Sequence, residues 1–92
     1  MVKLSEKHKA ELSRIRVDLP EWAAMELSLM EDHKPSLIKY LLEDGTLETW
    51  LHDTQSRMEE MHTNAMRQGY NTIEANELCR RDLLEEYMPE LF

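Results

Sequence analysis

The sequence predicts an all-α fold, a compact bundle of four to five short-to-medium helices forming a single helical domain over residues 1–92. Three observations lead there. Apolar residues recur at helical spacing along nearly the whole chain. Proline, glycine and capping residues fall between those stretches, where helices start and stop. Only two Gly and three Pro occur, and the longest connection they mark is a few residues, which suits antiparallel helix hairpins. No strand survives this reading.

The first segment runs from Ser5, as N-cap, to Val17, with Leu4, Leu12 and Ile15 on one side. It ends at Asp18-Leu19-Pro20, and Pro20 is placed as the first residue of a second helix reaching about Asp32. There Trp22, Met25, Leu29 and Met30 form the expected core face. His33-Lys34-Pro35 reads as a break, because Pro35 lacks an N–H and pushes Lys34 away from helical dihedrals. Pro35 then opens a third helix through Leu37, Ile38, Leu41 and Leu42, which stops at Gly45, a residue able to take a left-handed conformation. Thr46 is expected to cap a fourth helix, Leu47 to Gln68, whose stripe is Leu47, Trp50, Leu51, Met58, Met61 and Ala65. Gly69 ends it. Asn71 with Glu74 three residues on has the form of a capping box, opening a fifth helix through Leu78, Leu83, Leu84 and Tyr87 before Pro89.

Composition bounds the function. At 41% hydrophobic and 33% charged, the chain is apolar enough to collapse. A chain of this length buries roughly 60–65% of its unfolded surface, which keeps a homodimer in view as a route to more burial. Seven Met against one Phe give an adaptable apolar volume, read first as core and second as binding surface. Cys79 is the only cysteine, so no intramolecular disulfide can form and a reducing cytoplasm is expected. No run approaches the ~18 apolar residues of a membrane span, and the first sixteen residues alternate charges instead of presenting an apolar signal core.

The net charge of −8 is unevenly placed. Through Arg16, five basic residues (Lys3, Lys7, Lys9, Arg14, Arg16) stand against Glu6 and Glu11; the remainder has six basic and seventeen acidic. A nucleic-acid binder needs a basic footprint, and only the first helix supplies one, through Lys7, Lys9, Arg14 and Arg16. The later helices instead carry Glu43, Asp44, Glu59, Glu60, Glu74, Glu77, Asp82, Glu85, Glu86 and Glu90, a set that implies a basic partner. The competing reading is that these carboxylates only keep a small protein soluble.

Candidate chemistry is sparse. Glu59 and His62 have the Glu-x-x-His spacing of di-iron bundles, but no second such pair exists, so no metal and no cofactor are expected. Glu48 and His52, four apart, read as a surface pair. Cys79 beside Arg80 and Arg81 reads as a small buried side chain ahead of a nucleophile. No Gly-rich phosphate loop, nucleophile elbow or zincin motif is present, so catalysis is not expected. Tyr40, Trp50, Tyr70, Tyr87 and Phe92 are aromatic candidates for interface anchors, with Trp50 assigned first to the core.

The stretch Met30 to Met61 resembles the TnpV-like proteins carried on bacterial transposons and conjugative elements. The resemblance rests on His33-Lys34, Leu37, Leu41-Leu42, Gly45, Leu47 and Leu51, a helix, glycine stop and helix arrangement covering about a third of the chain. It implies a mobile-element setting, in which small acidic proteins act by binding host proteins. The expected role is therefore a non-enzymatic protein that blocks a basic nucleic-acid-binding surface of a DNA-targeting effector or nuclease, as an anti-CRISPR or other DNA mimic does. The alternatives are a DNA-binding accessory regulator using the first helix and a structural homo-oligomeric accessory protein. The expected location is cytoplasmic.

Overall fold

Five helices follow one another in the computed structural model, which describes residues 4–91: α1 Glu6–Val17, α2 Glu21–His33, α3 Pro35–Asp44, α4 Leu47–Arg67 and α5 Thr72–Tyr87, with a 3₁₀ turn at Pro89–Leu91. No strand occurs among the described residues, and none of the helices is long and apolar enough to cross a membrane.

The helix ends follow local chemistry. The Ser5 hydroxyl accepts from the His8 N–H at 3.1 Å and so satisfies a donor that the first turn leaves open. Asn71 and Glu74 make the reciprocal capping box: the Glu74 N–H donates to Asn71 Oδ1 at 2.8 Å, and the Asn71 N–H to Glu74 Oε1 at 3.1 Å. Gly45 closes α3 at φ 75°, donating its N–H to the carbonyls of Leu41 and Leu42. Lys34 alone separates α2 from α3, at φ −140° and ψ 56°, and its N–H still reaches the Met30 carbonyl at 2.7 Å. Two ends depart from expectation. Pro20 is the N-cap of α2, with extended backbone, rather than its first residue. Thr46 occupies the N-cap position of α4 without a side-chain cap bond, because its hydroxyl donates to Asp44 at 3.2 Å.

Packing centres on α2, α4 and α5, which touch one another pairwise, while α1 and α3 cover the other end of α2 and the start of α4. Two apolar clusters result. One gathers Leu12, Ile15, Leu27, Met30, Ile38, Leu41, Leu42, Leu47 and Leu51, with Tyr87 reaching in from α5. The other joins Met58 to Cys79 and Leu83, with Trp22, Met25, Leu29 and Met61 packed against it. Because α2 serves both, its fully buried line is Ala23, Glu26, Leu27 and Met30, and Trp22, Met25 and Leu29 are only half-buried. Of the expected core face, Met30 is fully buried, while Trp22, Met25 and Leu29 are corrected to the core's margin.

The same geometry corrects the readings of Trp50 and Tyr87 and turns Leu78 outward. Trp50 is 38% exposed rather than core, because Leu47, Leu51, Thr54, Gln55 and Met58 take the inner line of α4. Leu78 is 39% exposed, since α5 turns Ala75, Cys79, Leu83 and Tyr87 inward. Tyr87 is buried, with the Lys34 ammonium 5.2 Å from its ring centroid, and so is no interface anchor. Phe92, another aromatic candidate, lies outside the described residues.

Gly45→Ala tests the helix stop. A Cβ there meets nothing within 4 Å, so the cost is backbone strain alone, and urea unfolding is expected to show a loss of about 1 kcal/mol.

Candidate protein-binding surface

The most unusual buried group is a carboxyl. Glu26 on α2 is fully buried, and the Tyr87 hydroxyl donates to its Oε2 at 2.9 Å. Oε1 has no partner within bonding geometry, and the Thr54 side chain on α4 is near enough to favour the ionised carboxyl. Beside it, Gln55 Oε1 accepts from the N–H groups of Trp22 at 2.8 Å and Ala23 at 3.1 Å, serving the open first turn of α2. Desolvation by burial pushes the Glu26 carboxyl up from its ordinary 4.5, against the pull of Thr54 and Tyr87. The Tyr87 phenol is pushed up as well, by burial first and then by the Glu26 charge. With no exposed surface on Glu26, this network reads as structural. It fastens α2, α4 and α5 to one another.

Cys79 is likewise buried and donates its thiol to the Met58 carbonyl at 3.3 Å. Burial raises its pKa first, and the charges of Asp82 and Glu21 raise it further, the opposite of what a thiolate nucleophile needs. Arg80 and Arg81, its sequence neighbours, turn instead toward Glu77 at 3.9 Å and Glu85 at 3.3 Å. Glu59 and His62 border one groove with Glu21, Trp22, Thr63 and Asn76, and among the described residues no group of three His, Cys, Asp or Glu side chains gathers where a metal could be held.

The expected acidic residues do not converge on one face. Successive residues on a helix point about 100° apart, so Glu59 faces the groove toward α2, and Glu60 borders the α4–α5 side with Met61, Tyr70 and Leu78. Glu74 and Glu77 lie on the outer side of α5. Glu43 pairs with Lys39 at 4.0 Å, Glu85 with Arg81, and Glu86 with Arg57 at 3.3 Å. Asp44 accepts from Thr46, and Glu90 sits exposed in the 3₁₀ turn.

What separates these carboxylates is pairing. Seven ion pairs among the described residues engage Lys9, Arg14, Arg16, Lys39, Arg57, Arg80 and Arg81. Three of the four basic residues assigned to a DNA contact are therefore committed within the chain: Lys9 to Glu6, Arg14 to Glu48 at 3.6 Å, and Arg16 to Glu31. Lys7 is exposed and Lys3 lies outside the described residues. The carboxylates of Glu21, Asp53, Glu59, Glu60 and Asp82 take part in none of these pairs. Of these, Glu21 and Glu59 share one groove, and Glu21 and Asp82 both act on the same thiol. Glu21 and Glu59 thus border the half-buried Trp22 and take part in none of the seven ion pairs. Sequence reading missed Glu21, whose only signal was its place in the first turn of a helix, where a carboxylate serves the dipole anyway.

Comparison with protein-family profiles, with curated proteins and with solved structures finds no match.

Glu26→Gln tests the buried carboxyl. With its folded-state pKa raised above the unfolded value, Glu26 holds its proton more tightly in the folded chain. The stability this gives is complete below about pH 4.5 and is lost as pH rises through the raised value. Urea unfolding across pH is expected to show Glu26→Gln gaining on the wild type as pH rises from 4 toward 8, with the amide still accepting from Tyr87. A pH-independent difference would assign the carboxyl an ordinary titration.

Proposed function

We propose that this protein is a non-enzymatic binder that lays its unpaired carboxylates on a basic, nucleic-acid-binding surface of another protein, a DNA-targeting effector or nuclease, standing where phosphates would stand. The observation that carries the reading is the outcome of internal pairing. Most cations of the described residues are spent on the chain's own carboxylates, while Glu21 and Glu59 remain beside Trp22. Unpaired carboxylates beside an aromatic ring supply steering for a basic partner and an apolar contact once it arrives. The resemblance of Met30 to Met61 to TnpV-like proteins supports a mobile-element setting, where blocking a host DNA-targeting complex, as an anti-CRISPR or other anti-defence protein does, benefits the element.

The test is affinity capture of the tagged protein from a bacterial lysate expressing candidate DNA-targeting complexes, at two salt concentrations, followed by DNA cleavage assays on whatever is captured. Capture that weakens with salt and inhibits cleavage is expected. Glu21→Lys with Glu59→Lys should weaken it roughly tenfold, about 1.4 kcal/mol, whereas Lys7→Ala with Lys9→Ala should leave it intact. Binding that ignores salt and both pairs of substitutions would sink the proposal. A shift of duplex DNA abolished by the lysine substitutions would replace it with direct DNA contact through α1.

A further inference from the structure

The outer side of α5 faces away from the rest of the chain. Its inward line, Ala75, Cys79, Leu83 and Tyr87, is fully used against α4 and α2, yet Ile73 is 75% exposed and shares an open groove with Glu77, Arg80 and Leu84. Tyr70 and Leu78, 41% and 39% exposed, flank that seam.

The order of these four residues is the informative part. Ile73, Glu77, Arg80 and Leu84 follow at intervals of four, three and four, which keeps them on one helical stripe. The intervals also read the same in both directions. Two such helices laid antiparallel across a two-fold axis therefore set each Ile73 against the other copy's Leu84 and each Glu77 against the other copy's Arg80. A parallel pairing would oppose Glu77 to Glu77 and Arg80 to Arg80. Within one chain the Arg80 guanidinium is 3.9 Å from Glu77, and both side chains are more than half exposed, so the pair is free to extend into a four-charge ring with apolar contacts at either end. A basic partner helix fits this face poorly, since it would meet Arg80.

We infer that the outer face of α5 joins a second copy of this chain, antiparallel, through Ile73, Glu77, Arg80 and Leu84. Such an isologous contact needs only one self-complementary surface. The seam spans about 16 Å at 1.5 Å per residue, a single short helix face beside the ~800 Å² per partner of a standard interface, so a reversible, weak dimer is expected. The inference stands independently of the proposed blocking role, which uses the α2–α4 groove.

Sedimentation velocity on the full chain, through the micromolar and millimolar range, should show a monomer–dimer equilibrium. Glu77→Arg alone puts like charges opposite Arg80, and Arg80→Glu alone puts like charges opposite Glu77; each should weaken association about tenfold or more. An equimolar mixture of the two single variants should associate again, because each copy then supplies the charges the other lacks. Circular dichroism of each variant checks that the helices persist, and Ile73→Asp should dissociate the dimer without loss of helicity. A chain that stays monomeric throughout the range, or a dimer that survives both single reversals, would overturn the inference, as would a mixture that fails to re-form it.

Discussion

The hydrogen bond from Tyr87 to the buried Glu26 carboxyl is the constraint on which the arrangement of this bundle depends. A buried carboxyl is tolerated only where it is bonded or neutral. Its hydrogen-bond partner comes from another helix, Tyr87 near the end of α5. Apolar contacts alone let helices slide past one another at modest cost, and the many methionines would ease such sliding. A carboxyl that meets its partner in one register does not. Gln55 adds to this by receiving two N–H groups from the first turn of α2, so one residue of α4 holds α2 through two bonds.

Electrostatics outside the core follow from that register. Arg16 reaches Glu31 and Arg14 reaches Glu48, so the basic first helix is tied by charge to α2 and α4. Such exposed pairs contribute little to stability individually. Their larger effect is on what the surface offers to others: they mask the positive end of the molecule and leave the acidic residues that have no internal partner. The net charge of −8 thus understates the contrast between a paired, locally balanced region and the groove bordered by Glu21 and Glu59.

Two surfaces emerge with different character. The groove between α2 and α4 is acidic around an aromatic ring, suited to a basic partner. The outer face of α5 carries both signs of charge between apolar ends, suited to its own reverse copy. That one short helix can present the second while burying Cys79 and Leu83 on its opposite side reflects the 3.6-residue period, which separates the two lines around the axis.

The sequence by itself determined the helices and their ends. Ser5, Asn71 with Glu74, Gly45 and Pro35 act through bonds and dihedrals spanning four residues or fewer, so they read directly from the chain, as does the break at Lys34. Much of the core was legible for the same reason, with Leu12, Ile15, Leu41, Leu42, Leu51, Met58 and Leu83 all inward. What only the tertiary structure decided was which of two candidate faces of α2 lies deepest and which carboxylates remain unpaired. Periodicity names a face but not its neighbour: α2 packs on two sides, so Glu26 went inward while Trp22 and Met25 stopped halfway. Ion pairing likewise depends on distances between helices far apart in the chain, as between Arg57 and Glu86 or Arg14 and Glu48, and those distances exist only once the bundle has closed.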